Sequence, residues 1–400
     1  MSFRRYTYAL DPNTSQRVLI SKNVGCARLV YNELLSEKIE HYKETGKLLK
    51  NTPAHLKEKY EFLSEVDSLA LANSQMNLEI AFSNFFKNPR KVGYPKYKAK
   101  KHSRNCYTTN NVNNSIRIER GKLKLPKLGY VRFRYHRDLP ADAVIKAVAV
   151  EILKSGRINA SILAAVPEKS IDQICDTKTI DEITIKGLDY SSPYLYVDDE
   201  GNSPTDFTHF YRDIEDRLAK EQRKLSNMRK GSNNREKQCR KIARLYEKAA
   251  DRRKDFLEKE TRKLADRYDY IAVEDIDMKA MSQALKLGKA TMDNGYGMFR
   301  HMLAYKLEAK GGKLITIDKW EPTSKRCNKC GHINTITLKD RVITCVNCGN
   351  TYSRDENAGK NIKDVGLKIL KEEIMNRRAF GDSSYCLSSL DGSNEKPPLL

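Results

Sequence analysis

Four cysteines fall in two pairs, Cys327 with Cys330 and Cys345 with Cys348, and each pair repeats the pattern Cys-x-x-Cys-Gly. Two intervening residues let both thiolates of a pair reach one tetrahedral ion. The glycine behind each pair, Gly331 or Gly349, permits the tight turn that aims backbone N–H groups at the sulfurs. Fourteen residues separate the pairs, enough for the short hairpin of a zinc ribbon. A redox dithiol is the competing chemistry, but two such units at ribbon spacing favour metal. All four ligand positions are filled by cysteine, so one Zn²⁺ is expected in a structural role. Cys26, Cys106, Cys175, Cys239 and Cys386 stand singly and are read as ordinary thiols.

A second chemistry is carried by carboxylates. The run Ile183-Thr184-Ile185-Lys186-Gly187-Leu188-Asp189 reads as a strand ending in an acid, with a hairpin predicted behind it through Tyr194–Val197 and the turn 198–202. Tyr270-Ile271-Ala272-Val273-Glu274 repeats the arrangement, and Asp355 opens a helical stretch through Ile362, Val365 and Leu370. Singly, each has a plainer reading: a turn residue for the strand ends, an N-cap for Asp355. Together, three acids on separate elements could converge on two Mg²⁺ ions, which would activate a water and stabilise the leaving oxygen of a phosphodiester. Asp275 and Glu356 neighbour these acids but should point elsewhere by strand alternation and helical geometry. Arg354 could contact a scissile phosphate or brace Asp355.

The elements around these residues follow from periodicity. Residues 3–10 alternate as a strand, and Val18 to Ile39 carry apolar residues at helical spacing. A second helical stretch runs from about Pro53 to Lys87. Short strands are predicted at Ser115–Ile118, Lys122–Leu125, Tyr130–Arg134, Ile145–Leu153 and Arg157–Ala164, and a small β-barrel fits them best. Residues 213–268 read as a charged helical hairpin broken at 229–235. Trp320, after an apparent strand at Lys313–Asp318, is read as a packing residue rather than a base stacker.

Charge constrains the partner. Lys and Arg number 74 against 52 Asp and Glu, a formal +22, which points to a polyanion and by default to nucleic acid. No run of residues is long and apolar enough for a membrane span, and no signal core follows the N-terminus, so a cytoplasmic protein is expected. From Lys87 the chain interleaves cations and aromatics: Arg90, Lys91, Tyr94, Lys96, Tyr97, Lys98, Lys100, Lys101 and Arg104. Such a tape supplies phosphate contacts and stacking faces together, though a solvated loop would look the same. Asn110, Asn111 and Asn113, in an amide-rich run, could read base edges.

The order Gly187-Leu-Asp189, Val273-Glu-Asp275, Pro322-Thr-Ser-Lys-Arg-Cys327, Cys345-Val-Asn-Cys-Gly349 and Arg354-Asp-Glu-Asn-Ala358 resembles the TnpB family of transposon-encoded nucleases. Ala27-Arg-Leu-Val-Tyr-Asn32 and Lys122-Leu-Lys-Leu-Pro-Lys-Leu-Gly129 extend the likeness over residues 3 to about 370. One departure is that Tyr190 and Ser191 follow Asp189, where the family often has another residue and then Gly. The resemblance implies an α+β multidomain chain. A wedge β-barrel (1–14 and 103–170) would carry a helical recognition insert (15–102). A linker (171–182) would lead to an RNase H-like, RuvC-type α/β domain (183–322 and 351–371) interrupted by a four-cysteine zinc finger (323–350). A disordered tail (372–400) would follow. It further implies Asp189, Glu274 and Asp355 as catalytic acids, guide RNA from the transposon end or a CRISPR array, double-stranded DNA as target with a short adjacent motif, and a monomer in the RNA complex. A nuclease-dead RNA-guided repressor and an accessory transposase are the alternatives.

Overall fold

The structure is a computed structural model that describes residues 2–167, 174, 178–284, 293–337 and 339–380. These form two compact units divided near residue 169.

In the first unit, inward Tyr6, Tyr8 and Leu10 alternate with exposed neighbours, which makes Ser2–Asp11 (β1) one face of a sheet. β2 (Cys106–Asn110), β3 (Arg117–Glu119), β4 (Lys122–Leu125), β5 (Gly129–Phe133), β6 (Val144–Ile152) and β7 (Ile158–Val166) complete it in the antiparallel order β2-β6-β7-β1-β5-β4-β3. Where a small barrel is predicted, the hydrogen bonding among the described residues gives an open sheet with β2 and β3 at its edges. β1 turns from one partner to the other along its length, pairing with β7 over Ser2–Leu10 and with β5 only through Leu10 and Asp11. β2 takes in Asn110 of the amide-rich run; Tyr107 and Thr109 point inward, and the strand pairs in register with Glu151–Ala147.

Helix α1 (Thr14–Thr45), a single turn α2 (Leu56–Lys59) and α3 (Ser68–Lys87) are inserted between β1 and β2. Asn13 and Gln16 form a capping box that starts α1, and Gly46, at φ 66°, ends it. Leu34, Leu35, Leu71 and Leu78 join α1 to α3, while Ile20, Val24, Ala27 and Ala70 cover the sheet beside Tyr8, Val148 and Ile162.

In the second unit β8 (Ile185–Ser191), β9 (Leu195–Asp198), β10 (Tyr270–Glu274) and β11 (Lys313–Ile317) lie in the order β11-β10-β8-β9. β11, β10 and β8 are parallel, and β9 returns antiparallel as a hairpin. α4 (Arg212–Ser226) and α5 (Asn233–Arg267) form the charged hairpin, with Ser232 capping α5. α6 (Met278–Ala284) and α7 (Tyr296–Glu308) follow, and α8 (Arg354–Phe380) ends the described chain. Leu257 and Leu264 of α5, with Phe299 and Leu303 of α7, pack on one face of the sheet against Leu188, Ile271 and Val273. Ile362, Leu370 and Ile374 of α8 cover the other against Ile185, Tyr270 and Ile315. The parallel strands are apolar along their length because both faces are covered.

α8 runs past residue 372, where a disordered tail is predicted to begin. Ile374 is buried and Glu373 pairs with Lys313 at 2.9 Å, so the last turns are packed. The rest of the predicted tail, 381–400, and half of the predicted linker, 171–173 and 175–177, lie outside the described residues.

Candidate active site and metal centre

The three acids are brought to one end of the second sheet by backbone geometry. Parallel register pairs Leu188 with Val273, so Asp189 and Glu274 occupy the next position on adjacent strands. Asp355 lies in the first turn of α8, and that helix reaches β8 with no side chain between them. A Cβ on Gly187 would lie 2.1 Å from the Gly359 carbonyl oxygen and 2.7 Å from the Lys363 nitrogen. Only glycine permits this approach, and the approach carries Asp355 towards Asp189.

The electrostatics reflect that crowding. Burial pushes the Asp189 carboxyl well above the ordinary carboxylate range, and the neighbouring Glu274 and Asp355 charges push it further; the Arg354 guanidinium and the Tyr190 N–H oppose them. Burial also raises Glu274, against a hydrogen bond donated by the Thr323 hydroxyl. Asp355 accepts from Arg354 Nε at 3.0 Å and from Arg341 Nη1 at 3.3 Å. Part-buried carboxylates gathered so that two of them raise the proton affinity of the third, Asp189, form a donor set suited to hard divalent cations, whose charge offsets the repulsion.

Cys327, Cys330, Cys345 and Cys348 place their sulfurs within 4.8 Å of one another and could hold a metal ion. The Cys327–Cys348 and Cys330–Cys345 separations are 3.8 and 3.6 Å. Ligands about 2.3 Å from a tetrahedral zinc would stand about 3.8 Å apart, so the arrangement fits. Gly331 and Gly349 adopt φ of 77° and 67°, as the knuckles require. Cys327 and Cys345 each accept an N–H from the glycine that ends their knuckle, at 2.8 and 2.9 Å. The hairpin of β12 (Val342–Thr344) and β13 (Thr351–Ser353) leads straight into α8.

Buried amides fasten this finger to the helix that carries Asp355. Asn357 donates to the Arg326 carbonyl at 2.7 Å and accepts from Asn328 N at 2.9 Å; Asn361 donates to the Thr323 and Arg326 carbonyls at 2.6 and 2.7 Å. Sequence reasoning missed Thr323, Arg341, Asn357 and Asn361. The signal for the two asparagines was their spacing of four on one face of α8 within a predicted core-facing helix. Trp320, predicted to pack, is instead 80% exposed, because it sits on a projecting turn between β11 and the finger.

Three family models match the chain: one described as "Probable transposase" over residues 173–285, "Cas12f1-like, TNB domain" over 296–362, and "Helix-turn-helix domain" over 1–47. Over that last span the structure has β1 and one continuous helix. A protein of Streptomyces pristinaespiralis named "Putative RNA-guided DNA endonuclease" is 33% identical over 378 residues, covering 91% of this chain and 89% of its own. The chain belongs to the TnpB family. A second TnpB relative, "Putative RNA-guided DNA endonuclease InsQ" of Escherichia coli K12, is 27% identical and covers 91% of this chain and 92% of its own. Among solved structures, the Cas12f1–sgRNA–target DNA complex matches at a TM-score of 0.53 and 15% identity, over 87% of this chain and 82% of that one. This likeness is of the mixed α/β fold.

On this TnpB chain the nucleic-acid candidates of the first unit divide by environment. Arg90, Lys91, Tyr94, Lys96, Tyr97, Lys100 and Lys101 lie exposed on a segment without regular structure, and Asn113 is exposed in a turn at φ 50°. Others have structural partners. The Lys98 ammonium sits 3.8 Å from the Tyr31 ring centre, and its backbone exchanges hydrogen bonds with Asn32. Arg104 makes a two-pronged pair with Glu151 at 3.0 and 2.7 Å. Asn110 is part of β2, and Asn111 bonds the Ile145 carbonyl and the Ile116 N–H. In the second unit Arg354 bonds Asp355. No described helix is long and apolar enough to cross a membrane.

Proposed function

We propose that this protein is an RNA-guided DNA endonuclease that hydrolyses phosphodiesters of both strands of its target DNA at Asp189, Glu274 and Asp355. The observation that carries the reading is the meeting of these acids: two at the same level on adjacent parallel strands, the third on a helix seated on one of those strands through a glycine contact. A sheet with an antiparallel hairpin on one side of its central strand and parallel strands on the other agrees with an RNase H-like, RuvC-type domain. The open sheet and its helical insert would be the wedge and recognition parts.

The three carboxylates would hold two Mg²⁺ ions, which when bound activate a water and stabilise the leaving oxygen of an in-line displacement. The chain's own groups set that arrangement up. Thr323 orients Glu274 by donating to it, and Arg354 and Arg341 hold Asp355. The four cysteines would hold one structural Zn²⁺, with Asn357 and Asn361 transmitting the finger's position to α8. Guide RNA would choose the target by base pairing, beside a short duplex motif read by the protein, and the exposed cations of residues 90–101 would neutralise phosphates. A monomer in the RNA complex is the proposed stoichiometry.

The test is co-expression with the flanking non-coding region, sequencing of co-purified RNA, and Mg²⁺-dependent cleavage of a plasmid library matching that RNA beside randomised flanks. Wild type should cut next to one motif and Asp189→Ala should not. Retained RNA and specific DNA binding without cutting by either protein would favour a guided repressor, and absence of bound RNA would overturn the guided reading.

A further inference from the structure

The single tryptophan of the chain stands in an unusual place. An indole is worth most when its large apolar body is buried, yet Trp320 is 80% exposed. The turn that presents it is well tied. Asp318 Oδ1 accepts the Trp320 N–H at 2.8 Å, Asp318 O accepts the Glu321 N–H at 3.2 Å, and Glu321 pairs with Arg326.

Both ends of the turn are anchored on one catalytic acid. Ile317, three residues before the indole, is the β11 partner of Glu274 in the sheet. Thr323, three residues after it, is buried and donates its hydroxyl to the Glu274 carboxylate. Three residues of chain span at most about 10–11 Å, so the Trp320 Cα lies within that distance of Ile317, the backbone neighbour of Glu274. Lys319 lies beside it, its ammonium 5.0 Å from the ring centre. An open aromatic face next to a cation, a few nucleotide steps from a phosphodiester-cleaving site, is the combination that holds single-stranded nucleic acid without regard to sequence.

We propose that Trp320, together with Lys319, is a stacking platform for a base of single-stranded DNA flanking the scissile phosphate. It would hold the strand in line with the acids once the duplex has opened. The proposal rests on the nuclease reading above for the identity of the strand, but its test does not need cleavage. Because no other tryptophan is present, emission excited at the red edge of the absorption band, where the 21 tyrosines do not absorb, reports this indole alone.

The experiment titrates the RNA-bound Asp189→Ala protein, which should bind without cutting, with single-stranded oligothymidylate while following indole emission. The same titration, followed by anisotropy of a labelled strand, is repeated with Trp320→Ala and Trp320→Phe added. Saturable quenching is expected, with a loss of strand affinity in the alanine variant of about 5- to 150-fold, the range of base–aromatic stacking. The phenylalanine variant should keep most of the affinity, and melting temperature and metal content should not move. Indole emission unchanged at saturating strand, or equal affinity of the alanine variant, overturns the platform. Quenching by a protein whose wild-type form never cuts a guided target leaves the platform standing and overturns the nuclease reading instead.

Discussion

Replacing Gly187 by alanine tests whether the meeting of β8 and α8 sets catalysis. The added methyl would lie 2.1 Å from the Gly359 carbonyl oxygen, 2.7 Å from the Lys363 nitrogen and 2.9 Å from the Lys363 Cβ. Two of these neighbours are backbone, so no rotamer change relieves the clash. The helix has to retreat by more than about 1 Å to reach ordinary contact in a close-packed interior. Asp355 is near the start of that helix and moves with it, away from Asp189. Misplacement of a reacting group by about 1 Å costs on the order of 100-fold in rate. Overpacking costs about 1–3 kcal/mol of stability, which leaves the unit folded. Guided cleavage under single-turnover conditions should therefore fall about 100-fold, while RNA retention is unchanged and the melting temperature drops modestly. A rate within about threefold of wild type, at that scale of expected displacement, would refute the claim that this glycine contact positions the third acid.

Three further outcomes follow from the same geometry. Asn357→Ala strands the Asn328 N–H and leaves the Arg326 carbonyl only Asn361, costing about 1–3 kcal/mol; cleavage should fall although zinc measured per chain stays at one equivalent, and full activity would separate the finger from the acids. Asp189→Asn should abolish cleavage yet raise the melting temperature near neutral pH in magnesium-free buffer. The folded carboxyl is raised above its unfolded value of about 3.9, so the folded state binds the extra proton, and wild-type stability falls as pH rises through that window. The two proteins should converge near pH 4, and a wild type that melts higher at all pH values would contradict the burial argument. Lys186→Met removes a 2%-exposed ammonium lying 2.9–3.2 Å from Glu200, Asp199 and Asp198, leaving Asp199 only Lys363 at 2.8 Å; a loss of about 3–5 kcal/mol in denaturant unfolding is expected, and a change below about 1 kcal/mol would mean that water replaces the amine.

The acids and cysteines were legible because their chemistry is local. A strand ending in a carboxylate and a Cys-x-x-Cys-Gly knuckle are each written within a few residues, and Glu274 and the four thiols sit where such patterns put them, whereas β8 runs on past Asp189 to Ser191. The helical hairpin was legible for the same reason, since residues 229–235 cannot continue a helix through Gly231. What could not be read depends on contacts between distant segments. Asn111 looks like a base reader until the Ile145 carbonyl and the Ile116 N–H claim its amide, and Arg104 looks free until Glu151 is beside it. Ile374 looks like the start of a polar tail until the sheet covers it. Trp320 reversed its reading because an aromatic after a strand usually turns inward, and here the turn held by Asp318 carries it out.

The finger stands between Glu274 and Asp355 in the chain, and this gives protein synthesis an order of events. A ribosome delivers Asp189 and Glu274 first, then the four thiols, and only afterwards the helix bearing Asp355. The amides that seat that helix grip backbone carbonyls at the base of the finger, so the seat of the helix is synthesised before the helix itself. A nascent chain halted before Asp355 carries two acids of three.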